Sequence, residues 1–109
     1  MLLQVKKLLA FAALAALILP ASAGSATAER ATKRVSAYNN YFSPKSVTVR
    51  KGTRVTWVIR KGVHNVRGKG LKSANLTKGR TYTKKFKRGG TYRYVCTLHR
   101  GMNGKVVVR

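Results

Sequence analysis

The sequence contains four side chains suited to binding a soft metal ion. Three stand close together in the segment CTLHRGM, as Cys96, His99 and Met102, and the fourth, His64, lies far upstream. They are the only cysteine of the chain, both of its histidines and its only methionine besides Met1. A thiolate and two imidazoles form a roughly trigonal site that suits copper, and a thioether adds a weak axial contact. The four residues therefore predict a copper site.

Each of these residues has an ordinary explanation when it is taken alone. A lone buried cysteine or methionine usually serves as a hydrophobic core residue, and a single histidine usually lies at the surface. Their joint spacing favours a metal site, and an unliganded thiol would be open to oxidation outside the cell. Zinc is the alternative ion, because Cys and His bind it well. A structural zinc site, however, more typically uses two or more cysteines, and methionine is a poor zinc ligand.

The first 23 residues predict a secretory signal peptide. A basic head ends at Lys7, an apolar run extends from Leu8 to Leu19, and a small-residue site follows at Ala21-Ser22-Ala23. The run is shorter than the roughly 20 residues that span a bilayer. We expect cleavage after Ala23, with Ala28 as the second choice and retention as an uncleaved anchor as the alternative. The protein is accordingly expected to be exported to the periplasm, the extracellular space or the cell surface.

The remaining chain divides into a lead-in and one small domain. Residues 24 to 33 are small and polar and are predicted to be flexible. Residues 34 to 109 alternate short β-branched and aromatic runs with Gly-containing turns, which is typical of an all-β sandwich or barrel. The predicted strands cover residues 34–38, 46–50, 55–59, 81–86, 91–96 and 104–109. Residues 63 to 80 are predicted to form a long loop with room for one short strand. The aromatic residues on these strands are expected to pack in the core: Trp57, Phe86, Tyr92 and Tyr94.

The charge of the chain is extreme. Lys and Arg number 24, and Glu29 is the single acidic residue. With Lys6 and Lys7 removed, 22 basic residues face that glutamate, a charge near +21. Such a charge favours anionic partners, namely an acidic protein, anionic lipid head groups or cell-wall polymers, and its self-repulsion favours a monomer. Export makes specific nucleic-acid recognition unexpected, although nonspecific binding in vitro follows from the charge.

Several basic residues stand near the predicted ligands in the sequence. If they ring the metal end of the domain, they would steer an acidic redox partner toward it. The alternative is a uniformly basic surface, which the number of cations favours slightly. The residues in question are Arg60, Lys61, Arg67, Lys69 and Arg100.

The segment YRYVCTLHRGM and the far histidine in GVHNV closely resemble the cupredoxins, the type 1 or blue copper proteins. The Cys-x-x-His-x-x-Met spacing is similar to the short ligand loop of amicyanins, more than to the longer loops of plastocyanins or azurins. The resemblance extends from about Tyr41 to Arg109. It includes Phe42-Ser43-Pro44 and the run SVTVRKGTRVTWVI.

The resemblance implies a Greek-key β-sandwich with one copper ion near one end. It implies that His64, Cys96 and His99 are the equatorial ligands and Met102 the axial one. Asn65 matches a position that usually braces the ligand loops, the alternative being an ordinary polar loop residue. The family likeness also implies that His99 presents its ring edge to solvent as the route of the electron.

These observations predict a one-electron carrier that cycles between Cu(I) and Cu(II). An enzyme is not expected, because the chain has no acid–base pair and no open coordination position once Met102 binds. A second hypothesis is a copper scavenger or chaperone that uses the same ligands. A third is a cationic binding module whose fold persists without metal and whose function would survive the loss of Cys96.

Overall fold

The computed structural model describes residues 31–109, which form two β-sheets. The strands are β1 (Thr32–Tyr38), β2 (Tyr41–Ser43), β3 (Ser46–Val49), β4 (Thr53–Ile59), β5 (Arg67–Gly68), β6 (Leu71–Lys72), β7 (Thr81–Phe86), β8 (Gly90–Val95) and β9 (Asn103–Val108). Within residues 31–109 there is no helix long and apolar enough to cross a membrane. The predicted signal peptide, both cleavage sites and residues 24–30 lie outside the described residues.

The strands are arranged in a four-stranded and a five-stranded sheet. The first has the order β2-β1-β4-β7 and the second the order β3-β9-β8-β5-β6. β1 is parallel to β4 and β3 is parallel to β9, whereas the other neighbouring strands are antiparallel. The chain crosses from one sheet to the other after β2, β3, β4, β6 and β7. The prediction of an all-β fold with two sheets is confirmed.

The hydrophobic core lies between the two sheets, because alternate residues of the central strands point inward. In β4 the residues Val55, Trp57 and Ile59 are buried. Trp57 meets Tyr94 of β8 edge to face, with ring centroids 5.2 Å apart, and Phe42 of β2 meets the same tyrosine at 4.9 Å. Burial raises the pKa of the Tyr94 phenol. These aromatic contacts join the sheets, so the strand ends that carry the site are held by a packed interior.

Three details of the strands differ from the sequence-based prediction. β1 begins at Thr32, two residues earlier than expected, because Thr32 and Lys33 pair with Arg54 and Val55. The predicted flexible lead-in is therefore too long by these two residues. β2 has only three residues, too few to show an alternating pattern. Within residues 63–80 the chain forms a hairpin of two short strands, β5 and β6, where the sequence predicted a long loop with room for only one short strand.

Candidate metal centre

The loop between β8 and β9 carries three of the predicted ligands. Asn103 pairs with Val95, so the two strands close around residues 96–102. Within the loop the backbone N–H of Cys96 donates to the carbonyl of Met102 at 2.9 Å. The N–H of His99 donates to Cys96 at 3.4 Å, and that of Met102 donates to His99 at 3.3 Å. The short loop is thus fixed by its own backbone hydrogen bonds at the end of the sandwich.

His64 approaches the same loop from the segment that follows β4. Its backbone exchanges two hydrogen bonds with Leu76, His64 N to Leu76 O at 3.0 Å and Leu76 N to His64 O at 2.7 Å. Its side chain is 1% exposed, and the ring atom Nε2 lies 2.6 Å from the carbonyl oxygen of Lys61. With the proton on Nε2, the ring donates to that carbonyl and leaves Nδ1 free as a metal ligand. Nδ1 faces Cys96.

The ionisation of His64 favours a neutral ring. Burial lowers the pKa of His64, the hydrogen bond to the Lys61 carbonyl opposes this effect, and the nearby His99 lowers the pKa further. A neutral imidazole is the form that binds a metal ion. The site therefore holds this ligand in its binding form near neutral pH.

The donor atoms of three residues converge on one point. Cys96 Sγ lies 3.8 Å from His64 Nδ1 and 3.5 Å from His99 Nδ1, and all three donor atoms lie within 4.8 Å of one another. Two metal bonds of about 2.0 Å to nitrogen and about 2.3 Å to sulfur, at about 110–120°, separate their donors by about 3.5–3.7 Å. The two sulfur–nitrogen separations in this structure lie close to that value, so the sulfur and each nitrogen are placed to share one ion.

Met102 belongs to the same end of the molecule. Its side chain is buried, and it borders the same surface depression as Cys96 and His99. A thioether is a soft donor that suits copper and is a poor ligand for zinc. The chemistry of the complete set of donors, namely His64, Cys96, His99 and Met102, therefore fits copper better than zinc.

Asn65 joins the two segments that carry the ligands. Its Oδ1 accepts from the backbone N–H of Thr97 at 2.9 Å, and its Nδ2 donates to Thr97 Oγ1 at 2.8 Å and to Asn75 Oδ1 at 2.9 Å. The side chain is 1% exposed. The roles of Thr97 and Asn75 were not found from the sequence, because each depends on a partner distant along the chain. Asn65 directly follows His64, and its side chain holds Thr97, the residue that directly follows Cys96.

The surface above the donors combines apolar and basic residues. His99 is only partly buried, and Leu98 and Val63 are exposed beside the two histidine segments. Among the basic residues singled out in the sequence, Arg60, Lys61 and Arg100 are exposed on the segments that carry the ligands.

Of the other two basic residues, only Arg67 lies near the ligand loop, because it pairs with Val95, which directly precedes Cys96. The Nε of Arg67 donates to the carbonyl of Ser73 at 2.8 Å. Lys69 follows β5, which runs antiparallel to β8 and thus away from the ligand loop. A complete basic ring at this end is not formed by the five predicted residues.

Gly62 leaves room for the ring of His64. Its φ is +78°, and a Cβ at this position would lie 3.1 Å from His64 Nε2. We expect Gly62→Ala to displace the ring and to weaken metal binding by about 10- to 100-fold, the effect typical of losing an outer contact of a ligand. The measurement is a competition titration with a chelator of known affinity.

The matched control for Gly62→Ala is Gly70→Ala. Gly70 has a similar φ of +73°, and a Cβ there would meet nothing within 4 Å. Both variants bear the same backbone strain, of order 1–2 kcal/mol. Equal metal affinities of the two variants would show that contact with the His64 ring is unimportant.

Comparison with known proteins identifies close relatives. The family model of the cupredoxin-like domain matches residues 8–108. Amicyanin-alpha of Methylorubrum extorquens is 35% identical over 109 residues, which cover 93% of this chain and 92% of that protein. Plastocyanin of Scenedesmus fuscus is 33% identical over 84 residues, covering 62% of this chain and 86% of that protein.

Solved structures give the same result. Amicyanin from Paracoccus versutus is 31% identical and superposes with a TM-score of 0.67, covering 72% of this chain and 81% of that one. The Cu(I) form of an amicyanin variant is 32% identical with a TM-score of 0.68, covering 75% and 89%. A copper-containing nitrite reductase from Thermus scotoductus is 24% identical, and this likeness concerns the fold alone.

Proposed function

This chain belongs to the cupredoxin-like family, and from that membership we propose that it is an exported one-electron carrier. Its cofactor is one copper ion, which supplies a Cu(I)/Cu(II) couple and hence one transferable electron. The residues that would hold it are His64, Cys96, His99 and Met102. The observation that carries the proposal is the convergence of one thiol sulfur and two imidazole nitrogens within 4.8 Å.

The protein contributes a stiff frame to electron transfer. The loop hydrogen bonds of Cys96 and Met102 and the clamp between Asn65 and Thr97 keep the donors near one arrangement. A thiolate and a thioether favour Cu(I), whereas imidazole accommodates both oxidation states. Donors that move little between the two states allow a fast exchange of one electron, since little reorganisation is needed.

The route of the electron would pass through His99. The side chains of His64, Cys96 and Met102 are 1%, 3% and 1% exposed, whereas His99 is partly exposed. A redox partner that docks over Leu98 and Val63 would therefore approach the site through this ring. The exposed cations beside it, Arg60, Lys61 and Arg100, support an acidic partner, because opposite charges accelerate the encounter.

We infer no catalysis by this protein itself. The part of the chain from residue 31 to 109 contains no Asp or Glu to act as an acid–base pair. The same donors also suit a copper scavenger or chaperone, and the soft pair Cys96 and Met102 gives that alternative a preference for Cu(I). Carrier and chaperone differ in whether the metal stays bound.

Voltammetry of the copper-loaded protein, combined with a chelator challenge, tests the carrier against the chaperone. A carrier is expected to bind one equivalent of copper, to give a reversible one-electron wave, and to retain the metal through both oxidation states. The zinc-loaded protein is the control and gives no wave. Rapid transfer of Cu(I) to the chelator, with only weak retention of Cu(II), would contradict the carrier and favour copper handling.

A further inference from the structure

Two turns that connect the sheets meet at the end of the sandwich opposite the ligand loop. Residues 50–52 connect β3 to β4, and residues 87–89 connect β7 to β8. The N–H of Gly52 donates to the carbonyl of Phe86 at 2.6 Å, and the Cε of Lys51 lies 3.5 Å from the Cβ position of Gly89. β8 runs from this end to Cys96, so the two ends of the molecule are separated by its length.

The turns and their flanking residues carry six exposed cations, which we name the distal cationic pole: Arg50, Lys51, Arg54, Lys85, Lys87 and Arg88. Within residues 31–109 no acidic side chain balances them, because the only acidic residue of the chain, Glu29, precedes that range. No large hydrophobic residue is exposed within the pole. The large hydrophobic residues exposed in the described part of the chain all stand on segments at or next to the opposite end, namely Tyr41, Val63, Val95 and Leu98.

The electrostatic fields of the distal cationic pole and of the metal end are nearly independent of each other. The six residues of β8 span about 20 Å at roughly 3.3 Å per residue. The Debye length in physiological salt is about 8 Å. Charges of the distal cationic pole therefore contribute little to the field at His99, and a partner bound at one end leaves the other accessible.

We propose that the distal cationic pole binds the anionic head groups of a lipid bilayer and holds the metal end away from the membrane. A purely cationic surface without an apolar anchor suits a hydrated layer of head groups, which offers charge but no fixed pocket. A protein interface more typically has an apolar centre, and the apolar residues lie at the metal end. The benefit of this orientation rests on the proposed electron transfer, whereas the binding itself needs no metal.

The path of the chain agrees with this orientation. The N–H of Arg54 donates to the carbonyl of Ala31 at 3.0 Å, so the described chain begins beside the pole. The segment that precedes it includes the apolar run from Leu8 to Leu19. The pole is thus the part of the described domain that lies beside its first residue.

Vesicle binding of matched variants tests the proposal. Residues 35–108 contain the whole described core and belong to one compact unit, so a protein that begins at Gly24 keeps the fold and lacks the leader's own affinity for lipid. This metal-free protein is titrated with vesicles of phosphatidylglycerol and phosphatidylcholine and with vesicles of phosphatidylcholine alone. We expect binding to the anionic vesicles only, weakening steeply with salt.

The distal variant combines Lys51→Gln, Lys87→Gln and Arg88→Gln. Each basic residue near an anionic surface strengthens binding by roughly fivefold, so we expect a loss on the order of 100-fold. The control combines Lys78→Gln, Arg80→Gln and Arg100→Gln, which remove the same charge from exposed positions. Gly79 between the first two donates to Ile59 at the end of β4, which places them at the metal end. We expect the control to lose less than about fivefold.

Acetylation of the lysines of the vesicle-bound protein measures its orientation directly. Lys51, Lys85 and Lys87 are expected to be protected, whereas Lys61 and Lys78 stay reactive. Equal losses in the two variants, or uniform protection, would overturn the proposal in favour of attraction by net charge alone. Binding to polyglutamate through the pole without binding to anionic vesicles would also overturn it and assign the pole to an acidic polypeptide. Failure of copper cycling would leave all these results unchanged.

Discussion

Replacing Cys96 with serine is expected to abolish the intense visible absorption of the copper-loaded protein and to weaken copper binding by more than about 100-fold. The thiolate is the soft, anionic donor of the set, and its charge transfer to Cu(II) is the source of the expected band near the red end of the spectrum. A serine hydroxyl stays protonated and offers a hard oxygen instead. The measurement is a Cu(II) titration followed by visible absorption.

Met102→Leu is the matched control for that experiment. Both side chains are buried in the same loop, and the change from methionine to leucine conserves volume and usually costs less than about 1.5 kcal/mol. We expect the band to persist, since the thiolate and both imidazoles remain, while the reduction potential changes. If Cys96→Ser keeps the band, or if the unmutated protein shows no band with copper, the thiolate is not the copper ligand. Zinc binding or a cationic attachment module would then be the better account.

Replacing Asn65 with alanine is expected to lower the stability of the metal-free protein by about 2–4 kcal/mol. The change removes three part-buried hydrogen bonds of a side chain that is itself buried, and leaves the N–H and hydroxyl of Thr97 and the amide of Asn75 without that partner. A loss of this size corresponds to a fall of roughly 10–20 °C in Tm for a domain of this length. Thermal unfolding followed by circular dichroism measures the effect.

Asn103→Ala is the matched control, because it makes the same chemical change without breaking the hydrogen bonds between Asn65 and Thr97. Asn103 is exposed, and its side chain donates one bond, to the carbonyl of Gly101 at 3.2 Å. We expect its Tm to fall by only a few degrees, because exposed substitutions usually change stability by less than about 0.5 kcal/mol. In the copper-loaded proteins, only Asn65→Ala is expected to broaden the visible band, since the ligand loops become less fixed. Similar behaviour of the two variants would show that Asn65 is an ordinary loop residue.

Cys96 and Asn65 contribute to the site in different ways. Cys96 contributes an atom to the metal, whereas Asn65 contributes only the positions of its neighbours. The first depends on the chemistry of a side chain and was evident from residue type. The second depends on contacts between segments that are far apart in the sequence.

The sequence by itself determined the chemistry and the class of fold. The short spacing of Cys96, His99 and Met102 holds these residues on one loop whatever the rest of the chain does, and the alternation in residues 81–86 predicts β7 with its observed bounds. Such features are local, because the period of a strand and the span of a seven-residue loop are fixed by backbone geometry. The resemblance to the cupredoxins, confirmed by the family match, rests on the same local motifs.

Only the tertiary structure decided which distant groups meet. His64 and Cys96 are separated by 32 positions in the sequence. They meet because the chain crosses between two sheets, and no local sequence pattern indicates that contact. The pairs of Asn65 with Thr97 and Asn75, the two-residue strands β5 and β6, and the gathering of Lys51 and Arg88 at one end have the same origin. These contacts depend on how the sheets pack. The sequence position of a basic residue does not show at which end of the sandwich its turn lies. Packing of the core around Trp57 and Tyr94 fixes the positions of the turns and strand ends, and these in turn fix the geometry of the site.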